Sequence, residues 1–141
     1  MPASRQPMTY LLARAPLFSG LSRAQLGRVA ALAEQGIYRE GHEVVKAGQP
    51  GGAFYVIANG RVRVSKGRKT EAELGRGEFF GELALLDGGT RTRSVVALTT
   101  LEVIRIDRPS FRRLLRKEPD LSIALLEGMA RRTRKIMDPV H

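Results

Sequence analysis

The chain contains no cysteine, no tryptophan and only two histidines, His42 and His141. Disulfides, thiolate zinc sites, cysteine-held iron–sulfur clusters and cysteine nucleophiles are excluded together. A multi-histidine metal centre has too few ligands, so no metal is expected. No nucleophile–base pair stands out either; no catalytic residue is assigned, and the chain is expected not to be an enzyme. Long apolar runs are missing as well. The stretch from Tyr10 to Phe18 is short and is interrupted by Arg14 and Pro16, which suits neither a membrane span nor a signal peptide. A cytoplasmic protein is expected. Acidic residues are scarce: 14 Asp and Glu against 24 Lys and Arg give a formal net charge of +10. That excess points to an anionic partner but does not choose among nucleic acid, acidic lipid and a small phosphate ester.

What is present fits one folded domain. A length of 141 residues suits a single core, and 43% hydrophobic residues are enough to build it. The chain divides into three parts. Residues 10–35 read as helical: Leu17-Phe18-Ser19-Gly20-Leu21 forms an apolar turn, and Ser22 offers an N-cap with Gln25 at capping-box spacing. Leu26, Val29, Ala30 and Ala33 then mark one helix face. Residues 36–107 read as short strands punctuated by glycine, with Asn59-Gly60 as the strongest hairpin signal, both residues expected at positive φ. Residues 108–137 return to helix, with Asp107 capping one helix and Asp120 a second. The expected fold class is mainly β: an antiparallel, jelly-roll-like β-roll with helices at both ends.

The chemistry concentrates in residues 79–97, FFGELALLDGGTRTRSVVA. Gly81 permits close approach of backbone to a ligand. Residues 82–86 can form one helical turn whose first N–H groups lack partners and face an anion. Arg91 lies beyond the Gly88-Gly89 turn and can fold back to the same place. Its guanidinium fork matches two phosphate oxygens, and Thr92 adds a hydroxyl donor. Glu82 is acceptor-only at neutral pH and suits a sugar hydroxyl. On spacing alone, a Glu–Arg ion pair tying the loop, with glycines serving only its turns, reads equally well.

This stretch resembles the phosphate-binding cassette of cyclic-nucleotide-binding domains of the catabolite-activator, kinase-regulatory and nucleotide-gated-channel kind. Phe80-Gly81-Glu82-Leu83-Ala84-Leu85 followed by Arg91 carries the resemblance, supported by residues 54–62 and 17–21. It implies that Glu82 takes the ribose 2′-hydroxyl and Arg91 the cyclic phosphate, with backbone amides near Gly81, Leu83 and Ala84 completing the cradle. Thr92 stands beside the phosphate arginine, and Phe80, Val62 and Val64 are candidates for an apolar wall. Cyclic AMP is the expected ligand on family frequency, and cyclic GMP fits as well. Two positions depart from the family pattern: Thr90 replaces a common proline, and Arg93 replaces an alanine. Arg93 can contact phosphate, reach solvent or fill ligand space. A fold-only interaction module, or a cyclic di-GMP-responsive variant, is the alternative these departures motivate.

The resemblance extends to the last helix, where Arg132 becomes a candidate to reach the pocket. Leu121, Leu125 and Met129 form a stripe that fits either a homodimer seam or packing on the chain's own roll. No helix-turn-helix follows within these residues, so direct DNA binding is not expected. The output is expected to pass through the last helix to an effector protein that the sequence does not name.

Overall fold

In the computed structural model, the described residues are 8–82 and 84–137. The chain opens with α1 (Met8–Ala13), a single 3-10 turn (Pro16–Phe18) and α2 (Arg23–Ala30). Ser22 caps α2 with the full capping box to Gln25, as its spacing predicts. The helix stops at Ala30, so Ala33 falls in the following turn, although it still packs on the core. The first strand, β1 (Glu34–Tyr38), starts inside the part read as helical. There the helical spacing gives way because β1 closes an edge by pairing with a strand more than 60 residues away, from Glu34 opposite Arg105 to Tyr38 opposite Leu101, which local pattern does not register.

The roll continues through β2 (Glu43–Val45), β3 (Ala53–Asn59), β4 (Val62–Lys66), β5 (Lys69–Leu74) and β6 (Phe79–Phe80). A short helix α3 (Ala84–Asp87) interrupts it before β7 (Ser94–Ala97) and β8 (Leu101–Asp107). Two antiparallel four-stranded sheets result, ordered β1-β8-β3-β6 and β2-β7-β4-β5. Between β3 and β4 only Gly60 takes positive φ, at 104°; Asn59 remains in its strand instead of sharing the turn. Asp107 caps α4 (Arg108–Lys117), accepting from the Ser110 N–H at 2.8 Å. Helix α5 (Pro119–Met137) begins with proline, so Asp120 lies in its first turn rather than at the cap.

Strand β3 explains why residues 54–57 show no polar alternation. Phe54 and Val56 face the helices, Tyr55 and Ile57 face the roll interior, and all four are buried. One core cluster joins this sheet to the helices, with Phe18 meeting Phe54 edge-on at 5.6 Å and Phe111 at 6.0 Å. Three rings thus tie the 3-10 turn, β3 and α4 together. A second cluster fills the space between the sheets, where Val62, Val103 and Leu101 are almost fully buried. Leu121 and Leu125 are buried against the first cluster and Met129 packs on it. That stripe therefore belongs to the chain's own roll. The face of α5 turned to solvent carries Ile123, Leu126 and Met137 instead. Among the described residues, no helix is long and apolar enough to cross a membrane.

Candidate ligand-binding site

Beneath α3 lies a cavity of about 450 Å³, within the usual range of small-molecule sites. Its apolar side is Val45 from β2, Val64 from β4, Phe80 from β6 and Val95 from β7. Its polar side is Glu82, Asp87, Thr90, Arg91, Thr92 and Arg93, with Asp87 Oδ1 accepting from the Gly89 N–H at 2.8 Å. The β4–β7 pairing sets Val64 opposite Val95, which places two strands far apart in sequence on one wall. Phe80 is held by stacking on Tyr55 at 4.8 Å.

Arg91 is set into place from several directions. Its N–H donates to the Gln49 carbonyl at 2.7 Å, and its carbonyl accepts from the Gly48 N–H at 2.8 Å. Its Nη2 donates to the Ala53 carbonyl at 2.6 Å. Among the described residues no carboxylate pairs with it, and burial lowers its pKa, with Tyr55 acting in the opposite direction. A half-buried cation without a counter-charge is a site for an anion. Arg91 also borders a smaller cavity of about 210 Å³ with Lys46, Gln49, Tyr55 and Arg105.

Gly81 is the position where glycine is obligatory. At φ +85° a β-carbon would lie 2.6 Å from the Ala53 carbonyl oxygen and 2.8 Å from Arg91 Nη1. The cassette and β3 are therefore packed backbone to guanidinium, with no room for a side chain. A β-carbon on Gly51 would meet the Gly89 carbonyl oxygen at 2.7 Å, so the same close packing continues under the Gly88-Gly89 turn. Arg108, from the first turn of α4, donates Nε to the Leu86 carbonyl at 3.2 Å and fastens the end of α3.

Glu82 borders the cavity, but its carboxylate accepts a hydrogen bond from the Leu17 N–H of the 3-10 turn. It forms no ion pair with Arg91, so the loop-tying pair that spacing allowed is not what the fold builds. Leu17 leads into Gly20, which rests on Gly128 of α5 so closely that a β-carbon there would lie 3.0 Å from Gly128 Cα. Cassette, N-terminal turn and last helix are thus in mechanical series. Arg93 reaches across to β5, donating Nε to Glu71 and Nη1 to Thr92 Oγ1 at 3.1 Å. The Arg93 guanidinium hydrogen-bonded to Glu71 holds that carboxyl below the usual carboxylate range.

The fold brings together Phe80, Gly81, Glu82, Ala84, Val64, Arg91, Thr92 and Arg93. Two expected residues stand elsewhere. Val62 shares a face of β4 with Val64 but lies two residues further along, opposite Ala97, where it is fully buried between the sheets; it is core rather than wall. Arg132 lies near the end of α5, half-buried, and does not border the cavity. Leu83 lies outside the described residues. Sequence reasoning missed Val45, Val95, Glu71, Leu17 and Arg108. The valines had been read as strand residues, yet only strand pairing shows which side they face; the other three act across long sequence separations and leave no local signal.

Residues 36–118, more than half of the chain, match the model of the cyclic nucleotide-binding domain family. The chain belongs to that family. It is 30% identical over 133 residues to a CRP-like cAMP-activated global transcriptional regulator of Mycobacterium tuberculosis, covering 91% of this chain and 59% of that protein. It is 35% identical over 111 residues to a cGMP-dependent protein kinase of Caenorhabditis elegans, covering 74% of this chain and 14% of the kinase. Among solved structures, the N-terminal domain of a transcriptional regulator from Streptomyces coelicolor superposes with a TM-score of 0.79 at 32% identity, covering 92% of this chain and 93% of that domain. The chain thus spans less than two thirds of the two full-length relatives.

Proposed function

We propose that the cavity takes one cyclic mononucleotide, its phosphate on Arg91 and its ribose 2′-hydroxyl on Glu82, and that occupancy is passed on through α5. The observation that carries this reading is the Arg91 guanidinium: half-buried, fixed by backbone bonds and, among the described residues, lacking a paired carboxylate. A cyclic phosphate supplies one negative charge and two oxygens for the fork. Thr92 can add a hydroxyl donor, and the backbone beside Gly81 and Ala84 the remaining contacts. Val45, Val64 and Val95 offer an apolar surface to ribose and base.

Glu82 connects binding to output. In this reading the carboxylate turns from the Leu17 N–H to the ribose hydroxyl, which frees the turn that seats α5 through Gly20 and Gly128. Ligand then changes the equilibrium of the last helix only by the difference in its affinity for the two arrangements. Family resemblance favours cyclic AMP, while relatives carry the names of both cyclic AMP and cyclic GMP. The whole chain acts as one cytoplasmic regulatory domain in this reading, residues 10–35 forming the N-terminal part, 36–107 the roll and 108–137 the helices, with an effector protein as its partner.

Self-association through α5 belongs to the same reading. Ile123, Leu126, Ala130, Thr133 and Met137 follow a 3-4-3-4 spacing on the outward face, and all are exposed. Leu126→Glu is expected to convert a dimer to a monomer in analytical ultracentrifugation. A wild-type monomer at high concentration would remove this seam. Isothermal calorimetry against cyclic AMP, cyclic GMP and cyclic di-GMP tests the ligand. Binding of a mononucleotide supports the sensor; absence of heat and of thermal shift with all three would leave only a fold-based interaction module.

A further inference from the structure

Arg93 stands on the cavity wall two residues beyond the phosphate arginine, at a position that spacing alone left open. Its side chain is 47% exposed and that of its partner Glu71 is 29% exposed, so neither is sealed in the core. A guanidinium carries five N–H donors and no acceptor. Here Nε is committed to Glu71 and one hydrogen of Nη1 to Thr92. Three donors are left over, one on Nη1 and two on Nη2. Glu71 from β5 and Thr92 from the loop before β7 grip the fork at two points, which limits the rotamers of a long side chain.

Charge then decides what this fork can bind. A second phosphate contact is disfavoured, because Glu71 already neutralises Arg93 and would repel another anion. A neutral edge with two adjacent acceptors is favoured. Resting on the reading of the cavity as a cyclic-nucleotide site, we propose that Arg93, oriented by Glu71, reads the base and selects 6-oxopurines over adenine. Guanine and hypoxanthine present N7 and O6 together, the spacing of a guanidinium fork; adenine sets its N6 amino donor against the arginine donors. This preference runs against the cyclic AMP expectation drawn from family frequency. One bidentate arginine–guanine pair corresponds to roughly five- to a hundredfold in discrimination.

Titration of the full chain with cyclic GMP, cyclic IMP and cyclic AMP tests this. Cyclic IMP keeps N7 and O6 but lacks the guanine 2-amino group. The expected result is that cyclic GMP and cyclic IMP bind within about threefold of each other, and roughly five- to a hundredfold more tightly than cyclic AMP. Arg93→Ala is expected to bring the three affinities together by weakening the two 6-oxo ligands, with an unchanged melting temperature showing that the fold is intact. Cyclic AMP binding as tightly as cyclic GMP, a preference that survives Arg93→Ala, or an equal loss for all three ligands overturns the assignment. Cyclic GMP far tighter than cyclic IMP does the same, since the 2-amino group would then be what is read. Failure of all three to bind the wild type is a different outcome: it overturns the nucleotide site itself, and this proposal with it.

Discussion

Replacing Arg91 by alanine removes the guanidinium that packs on Gly81 and donates to the Ala53 carbonyl, and the expected consequence can be worked through to a number. Truncating one partner of a buried, hydrogen-bonded charge pair costs about 2–5 kcal/mol. At 1.4 kcal/mol per decade, the dissociation constant rises roughly thirtyfold to a few thousandfold. With ligand at a hundred times the wild-type constant, binding stabilises the wild-type fold by about 2.7 kcal/mol. At a change of about 4 °C per kcal/mol for a chain of this size, that is a melting shift of about 10 °C. For Arg91→Ala at the same concentration the occupancy ratio falls to about 4 or less, and the stabilisation to about 0.9 kcal/mol or less, a shift below about 4 °C. Arg61→Ala is the matched control. It removes the same charge from a residue paired with Glu73 on the surface, outside the cavity. Its ligand-induced shift should equal that of the wild type. Differential scanning fluorimetry reads all three proteins, and equal shifts in wild type and Arg91→Ala would refute the phosphate assignment.

Gly81→Ala is expected to destabilise the fold by more than about 1 kcal/mol, since alanine does not fit positive φ there and its β-carbon meets Ala53 and Arg91; urea denaturation checks this, and a neutral result would mean the turn can relax. For Glu82, hydrogen exchange is the readout: the Leu17 amide should be protected in the free protein and exchange faster in Glu82→Ala or at saturating nucleotide. Unchanged exchange with ligand would break the proposed connection between ribose and N-terminal turn. Asp107→Ala should cost about 0.5–2 kcal/mol at neutral pH through loss of the α4 cap. Burial pushes the Asp107 carboxyl up, but the Ser110 N–H and hydroxyl, with Arg105 and Arg113 nearby, outweigh it and hold the pKa low. A carboxyl depressed in the folded state contributes stability above its unfolded value and loses it as pH falls through the folded one. The difference between wild type and Asp107→Ala should therefore shrink from about pH 4 downward, and a gap that persists at lower pH would assign the cost to something other than the ionised cap.

Sequence by itself determined the parts of this protein that depend on neighbours along the chain. The Ser22–Gln25 capping box, the Asp107 cap, the strand composition of residues 53–59 and 101–107, and the Phe80-to-Arg91 cassette are all local patterns, and each lies where its residues indicated. The absence of cysteine likewise removed whole classes of chemistry without reference to any fold. Tertiary structure alone decided which side each residue faces. Val64 and Val62 share one face of β4, yet only Val64 reaches the cavity while Val62 fills the core, and Leu121, Leu125 and Met129 turn inward while Ile123 and Leu126 turn out. It also decided the partners of the charged groups: Glu82 meets Leu17 across 65 residues and Arg93 meets Glu71 across 22. A side chain's conformation is chosen by local sterics, but its partner is chosen by which strands pair and how the roll closes, and those are properties of the whole chain.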